Sequence, residues 1–200
     1  TIEGGGRRLA FLPTNVFRDK PPPVIESVQP VNREQSNTTV IVDSSFVVKL
    51  YRRIKPGIHP EAEVGRFLTD VAGYGHTPPL MGSVEISDEG GSAALAVVHG
   101  FVENQGDAWT VTNSYLDRYV DDQRVLSPEG AADDSELVAY QLRMQAIGRC
   151  TAELHQALAS RDDIPDLAPE PITAEDIAAW TESVVSRAQA TLRMLARRRG

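Results

Sequence analysis

Cysteine is almost absent from the chain, because Cys150 is the one cysteine among 200 residues. A single cysteine excludes an internal disulfide and fits a reducing compartment. Long apolar runs are also missing, since no stretch reaches the roughly eighteen residues of a membrane-spanning helix, and no signal-peptide pattern follows Thr1. These absences predict a cytoplasmic protein that does not enter the membrane.

An excess of positive charge is missing as well. The net charge is −8 and the isoelectric point is near 5.0. Nucleic acids and anionic membranes select basic surfaces, so we expect neither as a partner. The sequence contains no Cys-x-x-Cys pair, no histidine pair at metal-ligand spacing, no Gly-x-Ser-x-Gly and no Gly-x-x-x-x-Gly-Lys-Ser/Thr. It therefore predicts no metal site and none of the catalytic residues that these motifs supply.

Strand-forming segments dominate the first half of the chain. Alternating β-branched and aromatic residues predict strands at 7–12, 24–31, 38–42, 46–51, 79–86 and 93–102. Apolar residues at helical spacing predict helices near 60–72, 115–120, 135–160 and 173–199, and Thr173 to Asp176 forms a capping box at the start of the last one. Strands followed by helices predict an α+β fold with two segregated regions.

Lys49 stands inside the apolar strand segment 46–51, with apolar residues on both faces of the strand. A lysine is costly to bury without a partner, and Glu61 and Glu63 lie near the start of the following helix. Spacing does not choose between these two carboxylates. A strand holds a cation rigidly, as the binding of nucleotide phosphates requires. The alternative is a lysine on a solvent-facing edge of the sheet.

Two further segments have the chemistry of a nucleotide site. A hydroxyl-rich run lies at the start of the strand pair and consists of Ser36, Asn37, Thr38 and Thr39. It can offer hydroxyls and backbone N–H groups to phosphate, or it can be an ordinary polar turn. The run from Val97 to His99 ends an apolar strand whose backbone can face an adenine edge. Polar run, strand lysine and helix carboxylate together indicate the nucleotide half of a kinase-like fold.

Six segments between about residues 30 and 160 carry a resemblance to a known family. In order, they are EQSNTT, FVVKLYRR, HPEAEVGRFLTDV, PPLMGSVE, LAVVHGFVENQGDAW and GRCTAELHQALA. Their order resembles that of the bacterial maltokinases, a group of aminoglycoside-phosphotransferase-like kinases that is often fused behind trehalose synthase. The resemblance implies ATP- and Mg²⁺-dependent phosphorylation of maltose to maltose 1-phosphate. It also implies a possible trehalose synthase domain in the same chain.

The resemblance assigns roles to the candidate residues. It implies that Ser36–Thr39 is the phosphate loop, that Lys49 binds phosphate and that Glu63 is the helix partner of Lys49. Val97 and His99 fall in the adenine hinge, where many relatives have glutamine in place of His99. The implied domains are a cap remnant and linker at 1–23, a protein-kinase-like N-lobe at 24–105, and a helical, incomplete C-lobe at 106–200.

The family's catalytic machinery is expected after Gly200. The His-Gly-Asp loop and the metal-binding Asp-Phe-Glu motif do not occur in these residues, so the resemblance implies that the chain alone is inactive and carries no catalytic residue and no Mg²⁺ ligand. Two alternatives stay open. One is a related aminoglycoside or amino-sugar phosphotransferase, and the other is a non-catalytic kinase-like binding module.

Overall fold

The computed structural model describes residues 1–18, 24–31, 37–125 and 135–198. The chain divides into two compact units, Thr1–Ser160 and Arg161–Gly200. The described part of the first unit contains a sheet and helices, and that of the second contains one long helix. None of the described helices combines the length and the apolar composition that crossing a membrane requires.

An antiparallel sheet, of seven strands in the described residues, forms the frame of the first unit. In chain order the strands are β1 (Ile2–Gly4), β2 (Arg7–Pro13), β3 (Val28–Pro30), β4 (Asn37–Val42), β5 (Phe46–Tyr51), β6 (Leu80–Asp88) and β7 (Gly91–Gly100). Across the sheet the order is β1-β2-β6-β7-β5-β4-β3, and all neighbouring strands are antiparallel. The strands β5 and β7 therefore lie inside the sheet, with partners on both sides.

The helices are α1 (Asn15–Arg18), α2 (Pro60–Arg66), α3 (Ala108–Val125), α4 (Ser135–Leu158) and α5 (Ala174–Arg198). The predicted helix at 60–72 is α2 continued by a π-helical turn, Phe67–Val71. The predicted helix at 115–120 is longer than expected, because Asp107 Oδ1 accepts a hydrogen bond from Thr110 N and caps α3 well before that segment. Strands followed by helices confirm the predicted α+β fold.

One predicted strand is shorter than expected. Within 24–31, only Val28–Pro30 pairs with β4. The backbone N–H groups of Glu26 and Ser27 instead donate to Asp43 Oδ1 at 3.1 and 2.6 Å. Because a carboxylate in the β4–β5 turn takes these donors, the paired strand begins only at Val28, and one backbone bond, from Asp43 N to Ser27 O at 3.2 Å, extends past it.

The sheet also begins earlier than the predicted N-lobe at 24–105. Strand β2 pairs with β6 from Arg8 to Pro13, and β1 pairs with β2. The segment 1–23, predicted as a cap remnant and linker, thus supplies two strands of the sheet. Its further assignment to a cap, and the boundary at 106, stay predictions.

Close packing fixes α2 against the sheet. Ala62 of the helix forms a buried cluster with Leu80 of β6 and Val97 of β7. A Cβ on Gly65 would lie 3.3 Å from the Cβ of Leu80, so the helix approaches the strand at a point where a side chain would crowd it. Thr69 Oγ1 accepts a hydrogen bond from Leu80 N at 2.9 Å. The first turn of α2 is therefore held over the face of the sheet that carries Val97.

In the second unit, α5 begins with the predicted capping box. Thr173 donates from its backbone N and its Oγ1 to Asp176 Oδ2, and Asp176 N donates back to Thr173 Oγ1 at 3.2 Å. Along the helix, large apolar side chains are more than half exposed: Trp180, Leu192 and Leu195. The apolar spacing that predicts this helix therefore marks a face that the described residues leave largely exposed.

Candidate functional site

Lys49 lies in the middle of β5, between Thr39 of β4 and Val97 of β7. Residues directly opposite each other on neighbouring strands share a face, so these three side chains point to the side on which α2 packs. About a third of the Lys49 side chain is exposed. The position excludes the alternative of a lysine on a sheet edge.

Glu61, in the first turn of α2, is the carboxylate that contacts Lys49. Lys49 Nζ donates to Glu61 Oε1 at 2.6 Å, and the Tyr51 hydroxyl donates to Glu61 Oε2 at 2.8 Å. Both donors come from β5, two residues apart and therefore on one face. The two oxygens of one carboxylate thus bind two neighbouring side chains of the same strand.

Two histidines complete the cluster. His59 caps α2, accepts a hydrogen bond from Glu61 N at its Nδ1, and stacks on the Tyr51 ring with centroids 4.0 Å apart. His99 Nε2 lies 3.4 Å from Glu61 Oε1. This nitrogen is buried and forms no hydrogen bond of good geometry with the described residues. The shorter, aligned contact with Lys49 is therefore the firmer of the two that Glu61 Oε1 makes.

The cluster shifts the acidity of its own members. The pKa of the Glu61 carboxyl falls from 4.5 to about 2: the nearby His99 ring lowers it most, partial burial opposes this, and Lys49 and Tyr51 lower it further. Burial, and then the hydrogen bond to Glu61, raise the pKa of the Tyr51 phenol above its ordinary value of 10. Glu61 therefore stays ionised, and Tyr51 stays protonated, throughout the neutral pH range.

Glu63, the partner that the family resemblance implies for Lys49, does not contact it. In the described part of the chain, the Glu63 side chain takes part in no hydrogen bond or ion pair, whereas Glu61 binds Lys49 directly. The physical reason is the first-turn position of Glu61, which places its carboxylate over β5. The prediction of a Lys49–Glu63 pair is wrong, and the open alternative, Glu61, is the observed partner.

The predicted phosphate loop is only partly described. Ser36 lies outside the described residues. Asn37, Thr38 and Thr39 are not in a loop but in β4, paired with Tyr51, Leu50 and Lys49 respectively. Asn37 and Thr39 share the face of Lys49, while Thr38 is exposed on the other face. Their part in binding phosphate stays a prediction, now with two side chains near Lys49 and one turned away.

The predicted adenine hinge lies inside the sheet. Val97 is fully buried between Lys49 and Ser83, and His99 pairs with Val47 and Leu80. A strand that is paired on both sides does not present a free backbone edge to a ligand. Strand β7 ends at Gly100, and the residues that follow are exposed from Val102 onward. The segment after Gly100 is thus better placed for a hinge than Val97 and His99.

Sequence reasoning missed Tyr51 and His59 as members of the cluster. Their signal was present: Tyr51 lies two residues after Lys49 on the same strand face, and His59 immediately precedes the helix-starting Pro60. Only acidic residues were considered as partners for Lys49. Tyr51 and His59 carry no negative charge, so they were not considered.

The described residues do not fit a Mg²⁺ site. Mg²⁺ prefers oxygen ligands, and Glu61 already binds Lys49 and Tyr51. The described residues contain one group of His, Cys, Asp and Glu side chains at metal-binding spacing, and it includes a sulfur and a nitrogen donor, which Mg²⁺ disfavours. No Mg²⁺ ligand is therefore assigned among these residues.

The chain as a whole is similar to known proteins. No protein-family model matches the chain. The chain is 31% identical over 150 residues to a glucosamine kinase of Streptacidiphilus jiangxiensis, in an alignment that covers 74% of this chain and 30% of the relative. This relative is a sugar kinase. Maltose as the acceptor, which the maltokinase resemblance implies, has no support in this comparison and stays a prediction.

Solved structures show the same fold. A glucosamine kinase (crystal form B) matches 86% of this chain and 36% of its own chain, with a TM-score of 0.58 and 23% identity. A glucosamine kinase in complex with glucosamine, ADP and inorganic phosphate matches 89% of this chain and 36% of its own, with a TM-score of 0.53 and 26% identity. The chain spans about a third of the length of these sugar kinases and has their fold over that part.

Proposed function

We propose that this chain forms the nucleotide-binding part of an ATP-dependent sugar kinase. The observation that supports the proposal most directly is the 2.6 Å ion pair between Lys49 and Glu61, on an interior strand of a sheet that the chain shares with glucosamine kinases. One of those relatives was solved with ADP and glucosamine bound. A strand lysine fixed by a helix carboxylate is the arrangement that kinases use to hold nucleotide phosphates.

In this proposal Lys49 donates to phosphate oxygens of ATP. Its ammonium has three N–H donors, and Glu61 takes one of them. The others bind none of the described residues, so they can bind phosphate on the same face, where Asn37 and Thr39 also lie. The adenine edge meets backbone groups of the exposed segment that follows Gly100. Glu61, Tyr51 and His59 act on the nucleotide only by fixing the position of Lys49.

The acceptor that the comparisons favour is glucosamine, because the relatives by sequence and by structure are glucosamine kinases. Maltose is the second candidate, supported by the ordered segments that resemble maltokinases, and a trehalose synthase domain belongs to that candidate alone. A non-catalytic nucleotide-binding module is the third. The three differ in the product they form, so a product assay distinguishes them.

The test uses the full-length gene product. ATP-dependent phosphorylation of glucosamine and of maltose is measured side by side, together with ATP affinity by calorimetry. Lys49→Ala should weaken ATP binding about 10- to 100-fold, the equivalent of one hydrogen bond to a charged group. Lys55→Ala, which removes an exposed lysine outside the cluster, is the matched control. Unchanged ATP affinity in Lys49→Ala would contradict the assignment of the site, and ATP binding with no sugar turnover would indicate the non-catalytic module.

A further inference from the structure

A second group of reactive side chains lies apart from the Lys49 cluster. His76, in the loop after the π-helical turn, faces Cys150 and Glu153 of α4. One ligand atom from each of the three residues lies within 4.8 Å of the others. His76 Nε2 and Glu153 Oε2 are 3.2 Å apart. Residues that are 74 positions apart in the sequence thus meet at one point.

The three donors form a set that suits zinc. Imidazole nitrogen, thiolate sulfur and carboxylate oxygen are the usual protein ligands of Zn²⁺. With bonds of about 2.0 to 2.3 Å, the ligand atoms of a tetrahedral zinc site lie about 3.3 to 3.8 Å apart. The three ligand atoms observed here lie within 4.8 Å of one another, about 1 Å more than the largest of these ideal distances. Small side-chain rotations can close this difference. We propose that His76, Cys150 and Glu153 bind one Zn²⁺ ion.

The charges of the group also balance. The Cys150 thiol releases its proton to solvent when the sulfur binds the metal, so the thiolate and the Glu153 carboxylate together neutralise the two charges of Zn²⁺, with His76 neutral. Water takes the fourth position that three protein ligands leave open. His76 Nε2 and Glu153 Oε2 already lie in direct contact at a partly exposed position, and the metal takes the place of this contact.

The surrounding residues support the geometry. Cys150 and Glu153 are three residues apart on α4, so they lie on one face of the helix. The Tyr74 hydroxyl donates to the backbone oxygen of Cys150 at 2.7 Å, which joins the His76 loop to the same turn of α4. The His76 side chain is 56% exposed and that of Glu153 is 43% exposed, so an ion can enter from solvent. Bound zinc fastens α4 to the loop that precedes β6.

The test measures Zn²⁺ binding to the purified full-length protein by competition with a chromogenic chelator. We expect one equivalent of Zn²⁺, and an affinity at least about tenfold lower in each of Cys150→Ser, His76→Ala and Glu153→Gln. Loss of a residue that only supports a zinc ligand already lowers metal affinity at least about tenfold, so loss of a ligand itself should lower it by no less. His155→Ala is the matched control, since His155 is exposed on the same helix and outside the group. Its affinity should equal that of the unchanged protein.

Cobalt gives an independent readout of the ligands. Co²⁺ bound at this site should show the intense thiolate-to-metal charge-transfer band, and Cys150→Ser should abolish it while keeping the fold, as far-ultraviolet circular dichroism reports. Two results would mean an adventitious ion only. One is tight binding of one Zn²⁺ that none of the three ligand substitutions weakens, and the other is Co²⁺ binding without the thiolate band. Either result, or the absence of tight Zn²⁺ binding by the unchanged protein, overturns the proposal.

Discussion

Replacing Glu61 by glutamine tests the central contact of the cluster. The substitution keeps the size of the side chain and an oxygen that accepts a hydrogen bond from Tyr51, but it removes the charge that faces Lys49 at 2.6 Å. The ammonium of Lys49, with about a third of its side chain exposed, then has no counterion among the residues that the structure describes. We therefore expect the protein with Glu61→Gln to be less stable at neutral pH.

The pKa of Glu61 gives the size of the effect. A carboxyl pKa lowered from 4.5 to about 2 corresponds to about 3.4 kcal/mol of stability at neutral pH. Since 30% of the side chain is exposed, solvent screening reduces this figure, and we expect about 1 to 2 kcal/mol. For a chain of this length, that corresponds to a fall in Tm of about 2 to 8 °C.

The pH dependence has a definite sign. The folded-state pKa of Glu61 is depressed, so its contribution is fully present above the unfolded value of 4.5 and is lost as the pH falls toward about 2. The difference in stability between the unchanged protein and Glu61→Gln should therefore be constant from about pH 7 to 5 and shrink below that. More than half of it should be gone at about pH 3.

Urea unfolding followed by circular dichroism, at pH 7 and at several values down to 3, measures the free energy of unfolding for both proteins. Glu63→Gln is the matched control, because it makes the same chemical change two residues away on α2 and should alter stability by less than about 0.5 kcal/mol. Equal losses for the two substitutions, or a Glu61→Gln deficit that does not shrink in acid, would refute the reasoning.

Three further outcomes are expected. Lys49→Arg should weaken ATP binding nearly as much as Lys49→Ala in calorimetry, because a planar guanidinium does not replace a compact ammonium in a confined position; wild-type affinity would argue for a loose electrostatic contact. His99→Ala should raise the pKa of Glu61 but leave it below 4.5, since Lys49 and Tyr51 remain, and carbon-13 titration of the carboxyl checks this. Gly82→Ala should lower the free energy of unfolding by about 1 to 3 kcal/mol, because its Cβ would lie 2.8 Å from a backbone oxygen of β2. The control is Gly75→Ala, whose Cβ would meet no atom within 4 Å, and it should leave stability unchanged in the same urea assay.

The fold was largely predictable because its strands and helices have strong local signals. The run Phe46–Tyr51 is apolar and β-branched, and the observed strand has these bounds. Pro60 marks the start of α2 as expected. The shortened strand at Val28–Pro30 was not predictable, because a carboxylate from a later turn, Asp43, takes the backbone donors that precede it. Such a competition depends on tertiary position and leaves no periodic pattern in the sequence.

The site was less predictable than the fold. Sequence spacing placed both Glu61 and Glu63 within reach of Lys49, and the family resemblance selected the carboxylate that does not bind it. Side chains two residues apart on a helix, such as Glu61 and Glu63, point in directions that differ by about 200°. Which of the two faces Lys49 therefore depends on how the helix is oriented on the sheet. Close packing at Gly65 and Leu80 sets it, and neither residue takes part in the ion pair.

The His76, Cys150 and Glu153 group was invisible to motif reasoning for a related cause. Metal motifs are recognisable when ligands repeat at short spacing, as in Cys-x-x-Cys. Here Cys150 and Glu153 are three residues apart on a helix, and His76, the third ligand in the proposal, lies in a loop 74 residues before Cys150. The sequence prediction of no metal site depends on spacings alone and stays a prediction, which the zinc-binding experiment tests.

Side chains of the protein itself hold Lys49 in the cluster. Glu61 is ionised at every neutral pH, because its pKa is about 2, so its hold on Lys49 does not depend on the protonation of a ligand. Tyr51 binds the Glu61 carboxylate from the strand, and His59 binds the Glu61 backbone N at the start of the helix. If Lys49 binds phosphate as proposed, it therefore need not reorganise to do so. A lysine held this way loses little side-chain entropy on binding, which favours affinity over a mobile lysine of equal charge. The same restraint means that substitutions at Glu61 should weaken ATP binding even though Glu61 does not touch the nucleotide.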